Sequence, residues 1–171
     1  AHPGALFLDV SDLDGITTLL RESGCLADGG VVTAAAPAGD GNMNLTLRVR
    51  HAGRTLILKQ ARPWVERYPQ IDAPDERALV EAAFYGATAH VDGVAALHPR
   101  LLVVLPRHRM LVLEDLGDAQ DLMDIYDVAS VDDDTLGAFA AYLQALHRAD
   151  VPLTPLLANR QMRALNHHHM Y

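Results

Sequence analysis

Between residues 43 and 50 apolar and polar positions alternate without a fault. Met43, Leu45, Leu47 and Val49 fall on one side, Asn44, Thr46, Arg48 and Arg50 on the other. That period of two predicts a half-buried strand. Ala52-Gly53 then makes a tight connection into Thr55-Leu56-Ile57-Leu58-Lys59-Gln60, and the two strands are expected to form a hairpin. Upstream, residues 31–36 are a short apolar run of strand type, ended by Pro37. Ser11 reads as a helix N-cap, followed by Leu13, Ile16 and Leu20 at helical spacing, with a stop near Gly24.

Residues 62–73 form a proline-punctuated loop. A helix is predicted over 74–89: Pro74 suits a first helical position, Asp75 and Glu76 suit the positive N-terminal end, and Val80, Ala83, Phe84 and Ala87 make an apolar stripe. Residues 101–105 and 110–113 read as two more strands joined through Pro106-Arg107-His108. From Glu114 the composition turns acidic and helical. Leu136, Phe139, Ala140, Leu143 and Leu146 give an amphipathic helix behind a cap signal at 130–134, and the tail from Pro152 has no strong periodicity. The order is helix, three strands, helix, two strands, helices. It predicts an α+β fold: a five-stranded antiparallel sheet with one inserted helix, then a helical region beginning near residue 119.

Composition narrows the class. The 171 residues fit one domain, or one and part of another, and half of them are hydrophobic, enough for a core. Aromatics are sparse at 5%, so Ala, Leu and Val must do most of the packing. A net charge of −8 argues against nonspecific nucleic-acid binding. The single cysteine, Cys25, excludes an intramolecular disulfide and suits a reducing cytoplasm. No stretch approaches the ~20 apolar residues of a membrane span, so a cytoplasmic protein with no membrane partner is expected.

Candidate chemistry begins with Lys59, the one lysine among fourteen cationic side chains. A compact ammonium on a flexible stem suits a phosphate oxygen, and inside an apolar strand it needs a partner or a route to water. Two further features converge on it. Ala38-Gly39-Asp40-Gly41-Asn42-Met43-Asn44 lies between two strands, where glycines let backbone amides approach a phosphate. It lacks the Gly-Lys-Ser/Thr of a Walker loop and the third glycine of a dinucleotide fingerprint, and taken alone reads as a hairpin turn. The inserted helix offers Glu76 and Glu81 as partners for Lys59. Each signal is also explained by a solvated side chain or a plain turn. In this order they form a phosphate-gripping set.

These segments resemble the N-terminal lobe of the protein-kinase-like small-molecule kinases, the aminoglycoside phosphotransferase and choline kinase superfamily, and within it the 5-methylthioribose kinases. Gly39-Asp40-Gly41-Asn42-Met43-Asn44 is similar to the family's glycine loop and Lys59-Gln60-Ala61-Arg62-Pro63-Trp64 to its lysine strand. Glu76-Arg77-Ala78-Leu79-Val80-Glu81 is similar to its first-lobe helix, which selects Glu81 as the lysine's partner. Leu113-Glu114-Asp115-Leu116 is similar to its inter-lobe hinge. The likeness covers residues 30–120, and more loosely 159–166. It implies a nucleotide-binding lobe over 1–116 and the start of a helical C-lobe over 117–171. It further implies ATP held by Gly39, Asp40, Gly41, Asn42, Lys59 and Glu81 and by the Glu114 carbonyl and Leu116 amide.

The same resemblance marks a departure. The family's His-Gly-Asp catalytic loop and its later magnesium-binding aspartate have no counterpart. His90-Val91-Asp92 is the nearest match, but it precedes the hinge strand. The chain therefore reads as the first half of a longer enzyme, with no catalytic residue and no metal ligand of its own and with Mg2+ held elsewhere. The implied activity is ATP-dependent phosphorylation of a hydroxyl on a small metabolite: a methylthioribose-like sugar, an aminoglycoside or an amino alcohol. The alternative is a non-catalytic nucleotide-binding or interaction module. Self-association is expected if the 136–146 stripe is uncovered. His167-His168-His169 is better explained by a family-type Leu-Asn-His segment than by a metal site, because consecutive side chains diverge. The aspartates between Asp115 and Asp134 suit linker and cap roles better than attraction of a cationic substrate.

Overall fold

In the computed structural model, residues 5–39, 41–117 and 131–170 are described, with side chains through His168. Helix α1 (Leu13–Glu22) is capped by Asp12, whose carboxylate accepts the Gly15 amide at 2.8 Å. Ser11, the expected cap, instead donates its hydroxyl to Asp9 at 2.7 Å. A carboxylate outcompetes a hydroxyl for an amide at the positive end of a helix. Strands β1 (Val32–Pro37), β2 (Leu45–His51) and β3 (Arg54–Gln60) follow. The β2–β3 turn places Ala52 at φ 44° and Gly53 at φ 75°, the left-handed pair that matches strand twist.

The expected 62–73 loop contains a small hairpin, β4 (Trp64–Val65) and β5 (Tyr68–Asp72). Helix α2 (Arg77–Thr88) begins later than predicted. Pro74 and Asp75 lie in an i to i+3 turn before it, with Ala78 N bonded to Asp75 O, and Asp75 faces Arg109 at 3.3 Å. Strands β6 (Leu101–Leu105) and β7 (Met110–Glu114) are joined by a 3-10 turn over Pro106–His108. Helix α3 (Asp133–Arg148) is capped by Asp132, which accepts the Thr135 amide at 2.8 Å. The tail forms helix α4 (Arg160–Met170), which the sequence did not predict. With Met162 and Leu165 as its main apolar positions, it carries too thin a stripe to stand out.

The sheet is antiparallel throughout, in the order β1-β2-β3-β7-β6. Its core lies on one face, where Ile16, Leu19 and Leu20 of α1 pack with Leu47, Val49, Leu58, Met110 and Val112. Gln60 sits on that face fully buried. It accepts the Leu8 amide at 2.8 Å and donates to Leu6 O at 2.7 Å and His108 O at 2.9 Å, so its amide is satisfied and the N-terminal segment is pinned. The opposite face carries Thr46 beside Lys59, Arg48 beside Ile57, and Leu111 and Leu113 beside these, because directly opposed residues share a side. Helix α2 packs along β6 and β7. Among the described residues no helix is long and apolar enough to cross a membrane.

Candidate functional site

Lys59 Nζ lies 2.8 Å from Glu81 Oε1, the two side chains retaining 30% and 21% of their exposure. The strand presents the ammonium away from the core, and α2 brings the carboxylate to it. Glu81 follows Arg77 by four residues and precedes Tyr85 by four, so the three share one side of the helix. The fold uses that side alongside the expected apolar stripe: Glu81 and Tyr85 are half-buried, and Phe84 of the stripe packs on His98. Arg77, Ala78 and Thr88 are buried, whereas Val80, Ala83, Phe84 and Ala87 are only half-buried. Tyr85 donates to the same Glu81 oxygen at 3.4 Å. Burial, then the Glu81 charge and that hydrogen bond, push the phenol up to about 12.

Thr46, the strand neighbour of Lys59, borders a cleft of about 490 Å³ whose lining includes neither Lys59 nor Glu81. Pro37, Ile57, Leu113 and Leu116 give it apolar lining, Gly39 one end and Glu114 to Gly117 the other. Arg48 crosses its margin: Nη2 donates to Asp115 Oδ1 at 3.0 Å and to Gly117 O at 2.6 Å. Arg48 Nε lies 2.8 Å from Asp115 Oδ2, out of line for a hydrogen bond, so that contact is ionic. Burial pushes the Asp115 carboxyl up, but hydrogen bonds from Thr55, Arg48 and the Gly117 amide, with the Arg48 charge, outweigh it and hold it below the ordinary aspartate value. The Glu114 side chain turns away to Arg100, accepting its Nε at 2.6 Å. Those hydrogen bonds keep that carboxyl low as well.

The glycine segment is held from the side by the small hairpin and from below by α2. Arg67 donates its amide to Asn42 O at 3.0 Å and its guanidinium to Asn42 Oδ1 at 3.3 Å. Arg77 donates to Asn44 Oδ1 at 2.7 Å and to the carbonyls of Met43, Trp64, Arg62 and Pro74. Burial lowers its pKa, an effect the charges of Asp75 and Glu66 oppose. Gly39 adopts φ 82°, which a side chain would resist. A second opening of about 440 Å³ runs beneath this turn past Gly39, Gly41, Thr46 and Arg67.

Of the residues expected from sequence, Lys59 and Glu81 meet. Gly39, Glu114 and Leu116 line one cleft, and Gly39 and Gly41 line its neighbour. Asn42 serves as an anchor for Arg67, and Asp40 lies outside the described residues. Thr46, opposite Lys59, lines both openings and so joins them. Sequence reasoning passed over Arg48, Arg67 and Arg77, because arginine is the ordinary cation of this chain and nothing in its spacing singles these out. Of the aspartates between Asp115 and Asp134, Asp132 takes the cap role expected of this group, residues 118–130 lie outside the described residues, and His167 and His168 ride on α4. No protein-family model and no curated protein matches the chain.

Proposed function

We propose that the chain is the nucleotide-binding part of a phosphotransferase with a protein-kinase-like lobe, taking ATP and serving transfer to a hydroxyl of a small metabolite. The observation that carries this reading is the Lys59–Glu81 pair at 2.8 Å, set beside Thr46 where two openings meet under a glycine turn. An ammonium fixed by one carboxylate keeps donors for phosphate oxygens, and amides of the turn add to it without reorganisation. The apolar cleft between Ile57, Leu113 and Leu116 is of a size and lining that suit an adenine ring. Backbone groups of Glu114 and Leu116 would meet the ring's edge, as the resemblance implies. Residues 1–116 would make this lobe and 117–171 the beginning of a helical one.

Magnesium belongs to such chemistry, where it neutralises charge between phosphates. Among the described residues no group of three His, Cys, Asp or Glu side chains is placed to hold a metal, so no step is assigned to magnesium on this chain. A second reading is a nucleotide-binding module without transfer, which the same ion pair and cleft would serve equally. Both readings expect saturable ATP binding with inorganic tripolyphosphate competing. Folded protein that binds neither rejects both. Transfer of the γ-phosphate to a sugar or amino alcohol by the product of the whole reading frame selects the first reading. Binding without transfer there selects the second.

A further inference from the structure

Glu81 has its carboxylate on a helix side chain still partly open to water, where several rotamers compete. One oxygen, Oε1, nevertheless receives both Lys59 Nζ at 2.8 Å and the Tyr85 hydroxyl at 3.4 Å. Tyr85 is itself fixed. Its ring meets His98 edge-on at 5.4 Å, and Phe84 closes on the same imidazole at 5.4 Å. His98, just after the 3-10 turn Ala95–Leu97, places Nε2 2.7 Å from the Tyr142 hydroxyl, with the rings 5.6 Å apart. Tyr142 belongs to α3. Contacts therefore run without a gap from the ammonium of β3, through α2 and the turn before β6, to a helix beyond the hinge segment.

We infer that Tyr85, His98 and Tyr142 are positioning residues, a ring relay by which the seating of α3 sets the Glu81 carboxylate against Lys59. The chain of contacts lies off the α1 side of the sheet, where the core is built, so it is not needed to hold the sheet together. Each link is directional. The long bond from the Tyr85 hydroxyl biases Glu81 toward the rotamer that meets Lys59, the edge-on ring contact holds Tyr85, and the Tyr142 hydrogen bond holds the imidazole. A phenol pushed up to about 12 keeps its proton, and so remains a donor, throughout the neutral range. When α3 moves off His98, Tyr85 loses its backing and Glu81 is free to leave the lysine. The inference deepens the phosphate-gripping role proposed for Lys59, and its nucleotide arm rests on that role.

The lone lysine supplies the readout. Protein labelled with ¹³C,¹⁵N-lysine gives one side-chain signal, that of Lys59. Tyr142→Phe and Tyr85→Phe, which keep both rings, are expected to move that signal in the direction in which Glu81→Gln moves it. Leu136→Ala, on the open side of α3, is expected to leave it in place. In parallel, both Tyr→Phe variants are expected to weaken ATP by about three- to tenfold. A lysine signal unchanged in both folded Tyr→Phe variants but moved in Glu81→Gln overturns the relay. Should a Tyr→Phe variant fail to fold, His98→Gln, which keeps an amide donor for Tyr142, is read against His98→Ala. A larger displacement of the signal in His98→Ala supports the relay, and equal displacement overturns it. If the wild type binds no ATP while the signal responds as expected, the nucleotide reading falls and the relay stands.

Discussion

At the residue scale the sharpest contrast is between Lys59 and the arginines around it. Lys59 was legible because thirteen of the fourteen cations are arginine and one is not. Its partner was legible as one of two glutamates on the inserted helix, Glu76 and Glu81, and the family resemblance selected Glu81. Arg48 and Asp115 were not legible as a pair, since they lie 67 positions apart and only the register Arg48 to Ile57 to Leu113 brings them together. Asp115 is the more buried of the two, at 4% side-chain exposure, and its folded pKa is depressed below 3.8. A depressed carboxylate stabilises the fold fully above its unfolded value, and that stability is lost as pH falls through the folded pKa. Urea denaturation at pH 7 and at pH 3 is therefore expected to show a smaller acid loss in Asp115→Asn than in the wild type. An unchanged difference between the two pH values would mean that the charge on Asp115 does not matter to the fold.

At the element scale the strands of the main sheet were read well, and the apolar stripe of α2 describes only part of what that helix turns inward. Alternation is a direct image of a sheet with one buried face and shows in β2 and the end of β3, whereas β7 is almost wholly buried and β6 is only partly so. Helix α2 breaks the corresponding rule because its inward side carries Arg77, Glu81, Tyr85 and Thr88 in place of leucines. A hydrophobic count cannot find a face whose polar groups are each paired by the surrounding elements. Arg77 is the extreme case, 8% exposed and bonded to four carbonyls and the Asn44 amide oxygen. A lysine there has three donors and no planar fork. Arg77→Lys is expected to cost about 2–4 kcal/mol in urea denaturation at neutral pH, from carbonyls left unpaired in the interior. A loss below about 1 kcal/mol would show that water replaces the guanidinium at little cost. The β4–β5 hairpin escaped the sequence for a simpler reason: two of its strand residues, at Trp64–Val65, are too few to show a period.

At the scale of the whole molecule the sheet divides the labour. One face is sealed by α1 and carries the core, and the other is left to Lys59, the cleft and α2. The α3 helix joins this second side through Tyr142 while turning Leu136 and Phe139 outward, 56% and 51% exposed among the described residues. The sequence indicated that stripe and expected it to be uncovered. Self-association through it is the expected consequence, so Leu136→Glu with Phe139→Glu should lower the apparent mass in light scattering at high concentration. A wild type that stays monomeric there would contradict the expectation.

The central claim is that Lys59, oriented by Glu81, grips phosphate. Because the pair is partly exposed, its electrostatic contribution to stability is under about 1 kcal/mol, so Lys59→Met should fold as the wild type does. The decisive comparison is calorimetric titration of wild type and Lys59→Met with ATP and with adenosine. The account predicts at least about a tenfold loss of ATP affinity in the variant, with adenosine bound equally by both proteins. Equal ATP affinity in the two folded proteins, or an equal loss for ATP and adenosine, would contradict it.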